Sequence, residues 1–168
     1  MDISIRQATP ADAFALARLR YEFRASPGGA LEREDEFVER CALWMAGRLN
    51  DEGRWRCWVV EGGGLIVGNV WLQLIEKIPN PTPERERHAY LTNFFVRESE
   101  RGRGVGSMLL EAALGCCEAE DVHAVILWPT QRSRPLYLRH GFRPPADMVE
   151  FYVDAPEAVL EQPADSFE

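Results

Sequence analysis

The sequence has no cysteine motif typical of a zinc site or a disulfide framework, no long apolar run and no surplus of basic residues. Its four cysteines, Cys41, Cys57, Cys116 and Cys117, form no C-x-x-C pair, so neither a zinc site nor a secreted disulfide framework fits. We expect reduced thiols, no metal and a cytoplasmic protein. No apolar run approaches the roughly 20 residues of a membrane-spanning helix. The first residues, MDISIRQAT, lack the basic and apolar regions of a secretory signal.

The charge balance is acidic, with 27 acidic and 19 basic residues and a net charge of −8. A nucleic-acid partner would need a basic face, so this composition disfavours one. An acidic cleft concentrates amines, which weakly favours a cationic substrate, although solubility alone accounts for the same excess. At 168 residues, the chain is long enough for one well-buried domain and short for two.

The hydrophobic pattern predicts one mixed α/β domain over residues 1–154, followed by an acidic tail over 155–168 that we expect to fray. Apolar residues at helical spacing predict a first helix capped by Thr9 and a second from about Glu34 to Arg48. The second helix should bury Phe37, Cys41, Leu43 and Trp44. A first strand is predicted around Ile3 and Ile5, where apolar and polar residues alternate. Further strands are predicted on both sides of Gly62–Gly64, over 89–96, over 122–128 and over 148–153. Two more helices are predicted, one from about 104 and one over 132–140.

The stretch RESERGRGVGSMLL, residues 97–110, joins a predicted strand to a predicted helix. Such a turn directs several unpaired backbone N–H groups to one place, with the positive end of the helix dipole behind them. It is suited to bind an anion, most naturally a phosphate. The glycines let the ligand approach the backbone, and two arginines add positive charge. These residues are Arg101, Gly102, Arg103, Gly104 and Gly106.

Other interpretations of this stretch fit less well. A Walker A loop would end in G-K-[S/T], which is missing. The spacing G-x-G-x-G departs from the dinucleotide pattern G-x-G-x-x-G, and the acid that would bind the ribose is only weakly suggested by Glu120 or Asp121. A nicotinamide-binding redox protein therefore stays a rival. A simple tight turn explains one glycine but not three.

Two motifs resemble those of the GCN5-related N-acetyltransferases. FFVRESERGRGVGSMLL is similar to that family's acetyl-coenzyme A signature, R/Q-x-x-G-x-G/A, and SRPLYLRHGF is similar to its L-Y-x-x-x-G-F segment. The resemblance implies one domain with a mixed, mostly antiparallel twisted sheet of six to seven strands flanked by about four helices. It also implies transfer of an acetyl group from acetyl-coenzyme A, the cosubstrate, to a primary amine by direct attack in a ternary complex. The matching positions are Arg101, Gly104 and Gly106 in the first motif, and Leu136, Tyr137, Gly141 and Phe142 in the second.

The same resemblance implies roles for particular residues. The backbone N–H of Val96 would stabilise the developing oxyanion, and the Tyr137 hydroxyl would protonate the sulfur that leaves, although Tyr137 could also be a core aromatic. Asn93 could orient a water molecule or the amine, and Ser133 could hydrogen-bond the pantetheine, or simply lie at a helix start beside Arg132 and Arg134. The implied cofactor-binding residues are Phe94, Phe95 and Val96 along the pantetheine, and Arg101, Gly102, Arg103, Gly104, Val105, Gly106 and Ser107 around the pyrophosphate.

The general base and the acceptor are left open by the sequence. Many relatives carry an acidic residue as the general base near the position that Tyr90 occupies here. Because this chain has no acid at that position, the base would be Glu34, Asp35, His88 or a water chain. Trp71 and Trp128 are expected in the core or lining the cleft. The alternative function is a non-catalytic acyl-coenzyme A sensor with the same fold, and a homodimer is compatible with the sequence.

Overall fold

The computed structural model describes residues 3–25, 32–50, 53–151 and 153. These residues form five strands and four α-helices. The strands are Ile3–Gln7 (β1), Trp55–Gly62 (β2), Leu65–Glu76 (β3), Arg87–Val96 (β4) and Val122–Ile126 (β5). The helices are Ala13–Ala25 (α1), Glu34–Leu49 (α2), Val105–Ala119 (α3) and Arg134–Arg139 (α4). None of the helices within these ranges is both long and apolar enough to cross a bilayer.

The strands form one sheet in chain order, β1 to β5. The first three pairings are antiparallel, and β4 pairs with β5 in parallel. A tight turn suffices for β2 and β3, whose connection includes Gly63 and Gly64 at φ values of 59° and 77°. A parallel pair needs a crossover, and α3 provides it between β4 and β5. The predicted α/β class is confirmed.

Alternation along the strands divides the core between the two faces of the sheet. In β2, Val60 faces α3 while Val59 faces α1 and α2; in β3, Leu72 and Trp71 divide in the same way. All four side chains are at most 1% exposed. The helices therefore lie on opposite faces of the sheet, with β2 and β3 between them.

The predicted buried face of α2 was wrong at two of its four positions, since Phe37 and Cys41 are partly buried against the core. Leu43 and Trp44 are 78% and 44% exposed, whereas the helix buries Val38, Ala42 and Met45. The sequence is apolar on more than one side of this helix, so periodicity did not select the face. Trp44 instead packs on the first residue of β2, in an edge-to-face contact with Trp55 at 5.3 Å between ring centroids.

The predicted number of strands was too high: the described residues contain five rather than six to seven. The missing element is the strand expected over 148–153, of which residues 148–151 have no regular secondary structure and residue 152 lies outside the described residues. Pro144 and Pro145 just before it have no N–H to give to a ladder. Val149 and Phe151 are 94% and 88% exposed, so they pack on no surface of the described residues. The predicted tail, 155–168, also lies outside the described residues.

Candidate active site

The strands β4 and β5 separate halfway along β4. Their parallel pairing ends at Tyr90 and Ile126. Further along, the pairing of β4 with β3 is interrupted by a bulge, in which Asn93 has a φ of 47°. Asparagine tolerates this left-handed conformation better than most residues. Beyond Tyr90, residues 91–96 have no strand neighbour on the β5 side among the described residues, so this edge of β4 is open.

The backbone N–H of Val96 points toward this open edge. Arg97 donates its N–H to the carbonyl of Val67 at 2.9 Å, and Gly68 stands opposite Val96. Hydrogen-bonded and non-hydrogen-bonded positions alternate in an antiparallel pair, so the polar groups of Val96 turn away from β3. On that side the Val96 carbonyl accepts a hydrogen bond from Arg101 Nε at 2.8 Å. The Val96 N–H is thus a donor at the open edge.

Two glycines shape the loop between β4 and α3. Gly102 and Gly104 have φ values of 75° and 79°, in the left-handed region that side chains disfavour. A Cβ added to either residue would meet no atom within 4 Å. Glycine is therefore required at these two positions by the backbone conformation and not by crowding from neighbouring atoms. Left-handed residues in such a loop turn successive N–H groups toward a common concave surface that suits an anion.

The N–H groups of this loop are not used by the protein backbone. Arg101 donates its N–H to the Glu98 carbonyl at 3.2 Å, and Met108 donates to the Gly104 carbonyl at 3.1 Å. Between them, the N–H groups of residues 102–107 donate to no other group of the described residues. The first turn of a helix leaves its N–H groups free, and its dipole adds positive charge. The loop and the first turn of α3 thus present a run of six backbone N–H donors beside the open edge of β4.

The arginine side chains of the loop are engaged within the protein. Arg101 Nε holds the Val96 carbonyl, and Arg103 pairs with Glu100 at 2.7 Å. Glu100 is only 7% exposed, which makes this ion pair a fixed part of the loop. The two arginines therefore shape the loop and leave the backbone N–H groups as its free donors.

Tyr137 of α4 lies beside the loop. Its ring packs edge-to-face on Phe94 and Phe142, with centroids 6.1 and 5.5 Å apart. The hydroxyl has no hydrogen-bond partner among the described residues, and burial raises the pKa of Tyr137 to about 12. A Cβ added to Gly106 would lie 3.4 Å from Leu136, so the first turn of α3 adjoins α4. The phenol is protonated at neutral pH and able to give up a proton next to the donor loop.

These parts lie within the region that matches a known family. The model of the Acetyltransferase (GNAT) family matches residues 16–142. The chain belongs to the GNAT acetyltransferase family. The family resemblance inferred from the two sequence motifs is confirmed, and the open β4 edge, the donor loop and Tyr137 all fall inside the matched range.

Solved structures give the same assignment of the fold. A GCN5-related N-acetyltransferase from Ralstonia eutropha JMP134 is 26% identical, with a TM-score of 0.72 over 90% of this chain and 99% of the other. A predicted acetyltransferase from Clostridium acetobutylicum, solved with acetyl-CoA, is 19% identical, with a TM-score of 0.71 over 90% of this chain and 96% of the other. No protein of curated function matches the chain.

In this GNAT protein, the hydroxyl of Ser133 is engaged in its own turn. It accepts the N–H of Thr130 at 3.0 Å and donates to the Thr130 carbonyl at 3.1 Å. The turn sets the start of α4 and thereby the position of Tyr137. The predicted contact of Ser133 with pantetheine stays a prediction.

The residues predicted as candidate bases do not converge on the open edge. His88 precedes Val96 by eight residues on β4, which is roughly 25 Å along an extended strand. It stacks on His123 with ring centroids 5.5 Å apart, and burial lowers its pKa. Glu34 and Asp35 are exposed in the first turn of α2, where Asp35 forms an ion pair at 2.5 Å.

The two tryptophans separate into different environments. Trp71 is 1% exposed and belongs to the core. Trp128, just after β5, is 58% exposed and stands edge-to-face with Tyr90 at 5.3 Å. Trp128 therefore lies where β4 and β5 diverge, and Trp71 does not.

The sequence analysis missed Arg20 of α1. Its Nη1 donates to Asn93 Oδ1 at 3.3 Å, which brings α1 against the bulge of β4. The guanidinium also lies 5.9 Å from the centre of the Phe23 ring. One signal could have identified it: Arg20 follows Leu16 by four residues, so a charged side chain stands beside the apolar stripe of a packed helix.

Proposed function

We propose that this GNAT protein is an N-acetyltransferase that transfers the acetyl group of acetyl-coenzyme A to a primary amine. The run of unbonded N–H groups over residues 102–107 is the observation that carries this proposal. A diphosphate is a ligand that such a run can satisfy, because each oxygen accepts more than one hydrogen bond. The Clostridium acetobutylicum relative, solved with acetyl-CoA, has the same fold and supports the choice of cosubstrate.

The open edge of β4 extends this binding surface. Pantetheine contains amides, and an unpaired strand offers N–H and C=O groups in the pattern that amides match. The residues concerned are Phe94, Phe95 and Val96, next to the donor loop. A cosubstrate held by both surfaces would bring its thioester between Val96 and Tyr137.

The chemistry then needs two donors. The nitrogen lone pair of the amine forms the N–C bond, and negative charge develops on the carbonyl oxygen, where the Val96 N–H can stabilise it. The carbonyl re-forms as the C–S bond breaks, and the sulfur takes the Tyr137 hydroxyl proton as coenzyme A leaves. A proton from solvent then restores the Tyr137 hydroxyl. The reactive amine must be neutral, so its ammonium form first loses a proton, and nitrogen loses a second one after attack.

Solvent accepts the protons of the amine in this proposal. His88 lies at the far end of β4, and the acidic residues of α2 are exposed rather than directed at the open edge. The position at which many relatives carry an acid is occupied by Tyr90. A water chain ending in solvent replaces a dedicated side-chain base.

Two measurements test this function. Isothermal titration with coenzyme A, acetyl-coenzyme A and NAD should give binding heat for the first two alone. Thiol release should then depend on an added amine, in a panel of amino acids, polyamines, aminoglycosides and peptide N-termini. Binding without amine-dependent thiol release would instead support an acyl-coenzyme A sensor. Binding of NAD in place of coenzyme A would overturn the assignment of the loop.

A further inference from the structure

We propose that Arg20 binds a carboxylate of the acceptor, so that the amine substrate of this protein also carries a carboxyl group. The inference rests on the proposed acetyl transfer and adds the substrate class to it. It derives from the surroundings of Arg20, a half-buried guanidinium at the β4 bulge that has a neutral partner and, among the described residues, no anionic one.

The first observation is that no residue that the structure describes is a counter-ion of Arg20. Its hydrogen-bond partner is the Asn93 amide oxygen at 3.3 Å, and no carboxylate of the described residues lies within 4 Å of it. Glu22, two residues further on α1, pairs instead with Arg97 at 3.0 Å. The segment 26–31 between α1 and α2 has the sequence SPGGAL, which contains no acid.

The second observation is that the environment of Arg20 penalises an unpaired charge. Burial lowers the pKa of Arg20, and repulsion from Arg24, one turn later on the same helix, adds to this effect. Half-buried charges are normally paired, because desolvation without a partner is costly. A guanidinium with free N–H groups suits a carboxylate, which it can bind through two parallel hydrogen bonds.

The third observation is the position of Arg20 relative to the reacting groups. Asn93 holds the guanidinium at the bulge, three residues before Val96, which is about 10 Å along the strand. The helix α1 thus brings a cation to the same end of β4 as the Val96 N–H, and we take this side of the open edge as the acceptor side. Tyr90 precedes Asn93 by three residues on the same strand and makes an edge-to-face ring contact with Trp128.

The local charge is opposite to that of the whole chain. A net charge of −8 attracts cations from solution, whereas Arg20 and Arg24 make the acceptor side locally positive. An amine without an anionic group would meet this positive charge directly. An amine that also carries a carboxylate satisfies Arg20 and leaves its nitrogen for the thioester.

Matched acceptor pairs test this inference. Amino acids and ω-amino acids of increasing chain length would be compared with their own carboxamides, which keep the amine and lose the negative charge. Thiol release would be measured for wild type, Arg20→Gln and Arg20→Lys. Arg18→Gln is the control, because Arg18 is an exposed arginine of the same helix. Comparing variants for each acceptor cancels the difference in amine basicity between acid and amide.

We expect Arg20→Gln to lower kcat/KM for the preferred acid by about 10- to 100-fold and for its amide by less than about threefold. Arg20→Lys should fall in between, and Arg18→Gln should match wild type. Equal losses for acid and amide in Arg20→Gln would mean that Arg20 only supports the bulge, and the inference would be wrong.

A binding measurement separates this inference from the proposed function. With the protein saturated in coenzyme A, N-acetylated amino acids should bind wild type more tightly than Arg20→Gln. Absence of that heat while coenzyme A binds would overturn the role of Arg20 alone. Absence of coenzyme A binding would overturn the proposed function itself.

Discussion

Replacing Tyr137 with phenylalanine removes one oxygen atom and preserves the ring contacts with Phe94 and Phe142. The hydroxyl has no hydrogen-bond partner among the described residues, so the free energy of unfolding should change by less than about 0.5 kcal/mol. If Tyr137 protonates the leaving sulfur, kcat should fall by roughly 10²–10⁴-fold. That fall corresponds to about 3–5 kcal/mol of transition-state stabilisation.

The pKa of Tyr137 gives this prediction a second readout. Burial raises the pKa to about 12, and an acid catalyst works while it is protonated. The kcat of wild type should therefore show no alkaline decline from Tyr137 up to about pH 11. An acetyl thioester of a more acidic arylthiol needs less protonation as it leaves, so the ratio of wild-type to variant kcat should shrink toward one with that substrate.

Stopped assays of thiol release across pH 6–10 would measure these effects, with coenzyme A titration as the control for binding. The dissociation constant of coenzyme A should stay within about twofold, because the loop 102–107 is untouched. A Tyr137→Phe variant with kcat within about threefold of wild type would remove the hydroxyl from the reaction. A constant rate ratio for both thioesters would show that the hydroxyl acts elsewhere than on the sulfur.

Three further predictions concern the framework of the site. Gly104→Ala should lose about 1–2 kcal/mol of stability, because alanine disfavours the left-handed φ, and should weaken coenzyme A binding at least tenfold. The control Gly47→Ala, at an uncrowded helix position, should gain up to about 1 kcal/mol. Urea melts and titration calorimetry measure both effects, and equal behaviour of the two variants would contradict a conformational role for Gly104. Asn69→Leu should stabilise the fold by about 1–3 kcal/mol in the same melts, because the fully buried amide has no partner among the described residues, and a loss would show that the amide is satisfied. Hydrogen bonding to Arg6 lowers the pKa of Asp12 from 3.8 to about 2, so Asp12→Asn should cost about 1–2 kcal/mol at pH 7. That difference should shrink to a small fraction as the pH falls from about 4 to 2, and a difference undiminished at pH 2 would refute the ionic origin.

The part of the site that is local in sequence could be predicted from the sequence. The loop and the first turn of α3 are contiguous, and the alternating glycines that produce the left-handed φ values at Gly102 and Gly104 are visible in the letters. Tyr137 was found through its motif, and the structure places it beside Phe94, 43 positions earlier. Family resemblance assigned Tyr137 and residues 94–96 to the same cosubstrate, which periodicity alone does not do, but the ring contact itself was not predicted.

The acceptor side could not be predicted in the same way. Arg20 and Asn93 are separated by 73 positions in the sequence. They meet because α1 packs across the bulge of β4, and no short sequence pattern predicts that bulge. The exposed face of α2 was misjudged because apolar residues occur all round that helix, and only the fixed sheet selects Val38 and Met45 over Leu43. The strand expected near residue 150 failed for a similar reason, since its apolar residues have no surface to pack on.

The irregularity at Asn93 has a consequence for how such a protein can diversify. One additional residue in β4 interrupts its pairing with β3 just before the open edge that we propose binds the cosubstrate. Side chains on the α1 surface that meets Asn93 can be exchanged without disturbing the backbone N–H groups that follow Asn93 in the chain. A library confined to the α1 surface that meets Asn93 would thus be a route to altered amine preference with coenzyme A affinity unchanged.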